Sequence, residues 1–117
     1  MEIQPIITSL PDGATIYVFG SFLKNKQPHD IDVLITYDSR ICAPARAHSA
    51  VAEAVHKLGR DVFLPVHLTL LTLEEEQGTQ FKRENGCISL EEAMVVRESL
   101  LKADDAESKR ADQPKPV

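Results

Sequence analysis

Apolar positions along the chain change period several times, and each change marks an element. Ile3, Ile6, Ile7 and Leu10 recur at helical spacing until Pro11-Asp12-Gly13, a turn signal that ends a short first helix. Thr15-Ile16-Tyr17-Val18-Phe19 is β-branched and aromatic and stops at Gly20, which predicts a strand. Ser21 to Lys24 then begin a helical turn, Asn25 to His29 form a loop closed by Pro28, and Asp30 to Tyr37 form a second strand.

From Pro44, placed where a first helical residue tolerates proline, Ala47, Val51, Ala54, Val55 and Leu58 keep a helical period until Gly59 ends it. Val62 to Thr72 reads as a third strand region, with Pro65 at its start or on an edge. Thr72-Leu73-Glu74-Glu75 and Ser89-Leu90-Glu91-Glu92 both match the capping box, in which a hydroxyl and a glutamate three residues later satisfy the free amides of a helix start. They predict helices over about 73–84 and 90–103, the first weakened by Gly78 and the second turning Leu90, Ala93, Met94, Leu100 and Leu101 to the core. Residues 104–117, DDAESKRADQPKPV, are nearly free of apolar side chains and are expected to be a disordered polar tail after one domain over 1–103. No internal repeat is visible. Only one crossover helix is long enough to join parallel strands, so the fold class is α/β (α+β). The expected product is a small mixed β-sheet with helices packed mainly on one face and the other face open.

A chain of 117 residues has room for a single modest core. Its apolar runs are too short to cross a bilayer, and the start, Met-Glu-Ile-Gln-Pro, lacks the basic flank and apolar region of a secretory signal, so a cytoplasmic location is expected. In that compartment Cys42 and Cys87 are expected to be free thiols. A net charge of -5 argues against a sequence-independent grip on nucleic-acid backbone.

Asp30 and Asp32 interrupt a strand that otherwise reads as buried. Alternate strand residues share a side, so the two carboxylates stand together while Ile31, Val33 and Ile35 face the helices. Such a pair repels unless a cation sits between them, and magnesium prefers one or two carboxylates together with water and nucleotide phosphate. Gly20-Ser21 supplies the complementary half. A strand ending in glycine and passing into a helical turn presents backbone amides, with no Cβ in the way of a phosphate. The Ser21 hydroxyl adds a donor, and Lys24 and Lys26 can neutralise outer phosphates.

The combination Phe19-Gly20-Ser21, an eight-residue spacer, then Asp30-Ile31-Asp32-Val33 resembles the signature of the DNA polymerase β-like nucleotidyltransferase superfamily, in particular its small stand-alone bacterial members of the antitoxin type. The likeness spans roughly Ile3 to Thr72, and the short spacer implies a trimmed helix after the serine. The resemblance implies transfer of a nucleoside monophosphate from a nucleoside triphosphate, ATP first among them, to a hydroxyl of a protein or small molecule. It implies Mg2+ or Mn2+ on Asp30 and Asp32, and Gly20, Ser21 and Lys24 at the triphosphate. A helical, toxin-like protein partner or a homodimer is implied as well.

Family catalysts carry a third acid on a neighbouring strand. Here that strand is Leu64 to Thr72, and if Val66, Leu68 and Leu70 face the core, His67, Thr69 and Leu71 share the side of the aspartates. His67 thus stands in the acid's place. Imidazole is a poor magnesium ligand but can act as a general base, or bind manganese or zinc. Asp61 and Glu74 replace it only in a shifted register. The competing reading is a catalytically weak or silent nucleotide-binding module that regulates a partner. A nucleotide-sugar glycosyltransferase, which also uses Asp-x-Asp, needs a larger fold. His29, His48 and His56 read as surface residues, and Tyr17, Phe19, Phe22 and Phe63 as core or site wall.

Overall fold

The computed structural model describes residues 2–111, with side chains to residue 102. In chain order the elements are α1 (Gln4–Ser9), β1 (Ala14–Phe19), a single 3-10 turn (Gly20–Leu23), β2 (Ile31–Tyr37) and α2 (Pro44–Val62), then β3 (Val66–Thr72), α3 (Leu73–Thr79), α4 (Phe81–Asn85), β4 (Ile88–Ser89) and α5 (Leu90–Ala111). The four strands form one mixed sheet in the order β3-β2-β1-β4. The β1–β2 and β1–β4 pairs are antiparallel and β2–β3 is parallel.

One sheet face carries the core. Ile16, Val18, Ile31, Val33 and Ile35 meet Ile6 of α1, Val51, Ala54 and Leu58 of α2, and Leu90 and Ala93 of α5. The helical period from Pro44 therefore buries the stripe it was expected to bury. Pro65 starts the parallel pairing: lacking an N–H, it offers only its carbonyl, which accepts from the Ile31 amide at 3.0 Å. Both capping boxes form at their hydroxyls, with Thr72 accepting from the Glu75 amide and Ser89 from that of Glu92, each at 3.1 Å. Where β2 ends, the Arg40 guanidinium hydrogen-bonds Asp38, and with the Arg40 backbone amide it holds that carboxyl below its usual range.

Several details depart from the sequence reading, among them Leu101, expected to face the core and 45% exposed. Gly59 does not end α2. A Cβ there would lie 3.2 Å from the Val66 side chain, so the glycine lets the helix pack closely on the start of β3. The helix ends at Val62, and Phe63 follows in the left-handed region with φ 57° and 90% of its surface exposed, so it is not a wall or core residue. The helix expected over 73–84 breaks at Gln80, φ 51°, into α3 and α4, after Thr79 turns its hydroxyl back onto the Glu75 carbonyl. α5 continues to Ala111 because 104–111 contain helix-forming residue types and no glycine or proline; from residue 112 the expected tail lies outside the described residues.

The break in α3–α4 also changes the second sheet face. Phe81 packs edge-on against Phe19 with centroids 5.3 Å apart, and the Lys82 ammonium sits 4.9 Å from the centre of the Tyr17 ring. That face is consequently partly covered. Leu34 and Thr36, on the same side of β2 as Asp32, are buried, and Asp32 is the one residue of β2 that is not.

Two substitutions test this packing by urea unfolding. Ile35→Ala, at a fully buried core position, should cost about 2–5 kcal/mol. Phe63→Gly should stabilise the protein by about 0.5–1 kcal/mol, because glycine carries little of the left-handed penalty that phenylalanine bears.

Candidate functional site

The uncovered part of the second face is defined by one row across the sheet. Phe19 lies opposite Asp32, and Asp32 lies beside His67 in the parallel register. The register is the unshifted one, so His67, Thr69 and Leu71 line the side of the aspartates as the alternation predicts. Asp61 stays on α2 and Glu74 on α3, the latter near Arg40; neither substitutes for a third acid.

Asp30 stands just before β2 and projects with Asp32, both about 30% exposed. The His67 Nδ1 lies 3.4 Å from the Asp30 Oδ2 and 3.6 Å from the Asp32 Oδ1. One ligand atom from each of the three falls within 4.8 Å of the others, the spacing of a group able to share one cation. Two hard carboxylate oxygens with one imidazole nitrogen suit manganese or zinc as well as magnesium.

Gly20 brings the other half alongside. Its φ of 80° is a conformation that L side chains rarely adopt, and a Cβ there would collide with the Asp32 carboxylate, whose Cγ would be 3.3 Å away. The glycine therefore allows both the turn out of β1 and the approach of the acid. Ser21 is exposed on the 3-10 turn, and the Lys24 and Asn25 amides both donate to its carbonyl, at 3.0 and 2.7 Å. As the opening residues of that turn, Gly20 and Ser21 have amides with no acceptor within it. Lys24 is exposed at the end of the turn. Phe22 instead enters the core, and His29, His48 and His56 are exposed.

The sequence profile of the family described as the nucleotidyltransferase domain matches residues 1–90. The chain belongs to that family. Comparison with curated proteins and with solved structures yields no match. Membership of that family supports nucleotidyl transfer as its general chemistry, with a nucleoside triphosphate as the implied substrate. The matched span holds all four strands and closes at the first residue of α5. No helix among the described residues is long and apolar enough to cross a membrane.

Three neighbours of the site were not singled out by the sequence reading. Phe81 and Lys82 reach the second face only because the chain breaks at Gln80, two residues past the Gly78 that weakens the predicted helix. Arg97 of α5 donates to carbonyls of the loop after the 3-10 turn; its one signal is a charge among Met94, Val95, Val96 and Leu100.

Both cysteines are free, as expected. Burial, with Glu76 nearby, pushes the Cys87 thiol up to about 11. Ionised at pH 8 to only about one part in a thousand, Cys87 should react with iodoacetamide far more slowly than a free peptide thiol, and speed up about tenfold per pH unit. Mass-spectrometric labelling rates over pH 7 to 10 check this. Gly20→Ala should destabilise the fold by about 1–3 kcal/mol through strain and the clash with Asp32.

Proposed function

We propose that this nucleotidyltransferase domain transfers a nucleoside monophosphate, AMP first among them, to a hydroxyl of a protein or small-molecule acceptor, with metal held by Asp30 and Asp32. The observation that carries this reading is the convergence of Asp30, Asp32 and His67 within 4.8 Å beside a glycine whose absent Cβ leaves room for the Asp32 carboxylate. Two divalent ions, as the family likeness implies, would supply charge neutralisation for the triphosphate and for the charge that develops during transfer.

The residues of this chain then have separate tasks. Gly20 and Ser21 bind the phosphates by backbone amide and hydroxyl, and Gly20 keeps the backbone close to the acids. Lys24 offsets negative charge on the outer phosphates. Asp30 and Asp32, projecting together from the start of the central strand, would hold the metal. His67 occupies the third acid's place, where its nitrogen completes the ligand set. With a nitrogen in that set, Mn2+ is favoured over Mg2+.

One observation favours the second reading, a weak or silent module that regulates a partner. Beside Asp32 on β3 stands a neutral-capable imidazole in place of a carboxylate, so less negative charge is available to hold a hard cation and to draw a proton from the acceptor. The partner in either reading is a protein chain, helical or a second copy of this one.

Equilibrium binding of a nonhydrolysable ATP analogue with Mg2+ or Mn2+, followed by transfer of label from α-labelled ATP, tests the proposal. Binding should require the divalent ion, be lost with EDTA, and be tighter with Mn2+. Asp30→Asn combined with Asp32→Asn should weaken it at least ~100-fold while the unfolding midpoint is retained. His67→Asp should shift the preference back towards Mg2+. An unchanged affinity in the double variant would refute the assignment, and metal-dependent binding without transfer to any acceptor would favour the silent module.

A further inference from the structure

The loop between Ser21 and Asp30 joins the two halves of the site, and a side chain from outside the matched family span is hydrogen-bonded to it. Arg97 of α5 donates through Nη2 to the Lys26 carbonyl at 2.7 Å and through Nη1 to the carbonyls of Asn25 and, at 3.5 Å, Phe22. Its guanidinium carbon also lies 5.0 Å from the centre of the Phe22 ring. Carbonyls at the end of a helical turn lack N–H donors within it, and a planar fork of five N–H donors can serve several of them together.

We propose that Arg97 is a positioning residue for the nucleotide: from α5 it clamps the loop that carries Lys24, and through it the Ser21 turn, against the metal-holding strand. The coupling is short. Asn25 gives its carbonyl to Arg97 and its amide to the Ser21 carbonyl, so the clamp and the serine turn share one hydrogen-bonded residue. The stretch Lys26 to Pro28 also borders a hollow of about 360 Å³ with Leu64 and Met94 among its other walls. A lysine at 97 would present one point charge in place of a fork and serve fewer of the carbonyls.

The inference rests on the assignment of Gly20, Ser21 and Lys24 to the triphosphate. Its test separates metal from nucleotide. Mn2+ binding without nucleotide, followed by electron paramagnetic resonance, reports Asp30, Asp32 and His67; calorimetry of the Mn2+ complex of a nonhydrolysable ATP analogue reports the whole site. Arg97→Gln should weaken analogue binding about tenfold and leave Mn2+ binding within about twofold, with faster amide exchange confined to residues 22–27. Arg97→Lys, which keeps the charge and the stem over Phe22, should fall between, and it carries the test if Arg97→Gln does not fold. Lys102→Gln, farther along α5, should change neither affinity. Analogue binding within twofold of wild type in Arg97→Gln, or a parallel loss of Mn2+ and analogue, overturns the clamp alone. A wild-type protein that binds Mn2+ but no nucleotide overturns the functional reading and the clamp with it.

Discussion

The parallel pairing of β3 with β2 is the constraint on which the site depends. It sets Asp32 beside His67, and a slip of one residue would put Val66 or Leu68 there instead and turn the imidazole to the core. Register is held from both sides: the Pro65 carbonyl takes the first amide of β2, and Ile31, Val33 and Ile35 must stay buried on the helix side. At a separation of about 5 Å, two carboxylates repel by about 1 kcal/mol in water and about 3 kcal/mol at an effective dielectric of about 20. Partial exposure moves this pair towards the lower figure, and the His67 nitrogen faces both acids.

The same strand explains why the opening in the second face is small. β2 is central and covered on both sides everywhere except at Asp32. Along the acid side the next row is Tyr17, Leu34 and Thr69, and Lys82 of α4 sits over Tyr17. The row after the aspartate is therefore closed by packing. The sheet stays open where glycine follows β1, and the Phe19–Phe81 pair forms the boundary between the closed and open parts.

Much of this was legible in residue order. Asp30, Asp32 and His67 come together because alternation is a strict property of strands, and Pro65 marked where the partner strand begins. Gly20 was legible as a stop to the first strand, though its contact with Asp32 needed the fold. What escaped was information held in other elements. Leu34, an apolar residue on the acid side, was the available sign that this side is not open along its length. Gln80 and Phe63 take left-handed conformations that their residue types do not announce, and the neighbours of Gly59 that explain it are contributed by β3. The two-residue β4 is too short to produce a period.

The two halves of the site are anchored unequally, and the inequality has a mechanical consequence. The carboxylates sit on a central strand hydrogen-bonded on both sides, so moving them would break ladder bonds and expose a core that is nearly dry. The glycine-serine turn is continuous with β1 at one end. At the other it passes into a loop fastened through its carbonyls to a helix that is, beyond its first residue, outside the span common to the family. A force or a bound partner acting on α5 would reach the phosphate side of the site through Arg97 before it reached the metal side. On the proposed assignment, nucleotide affinity would vary with the surroundings of α5 while metal affinity stayed tied to the sheet.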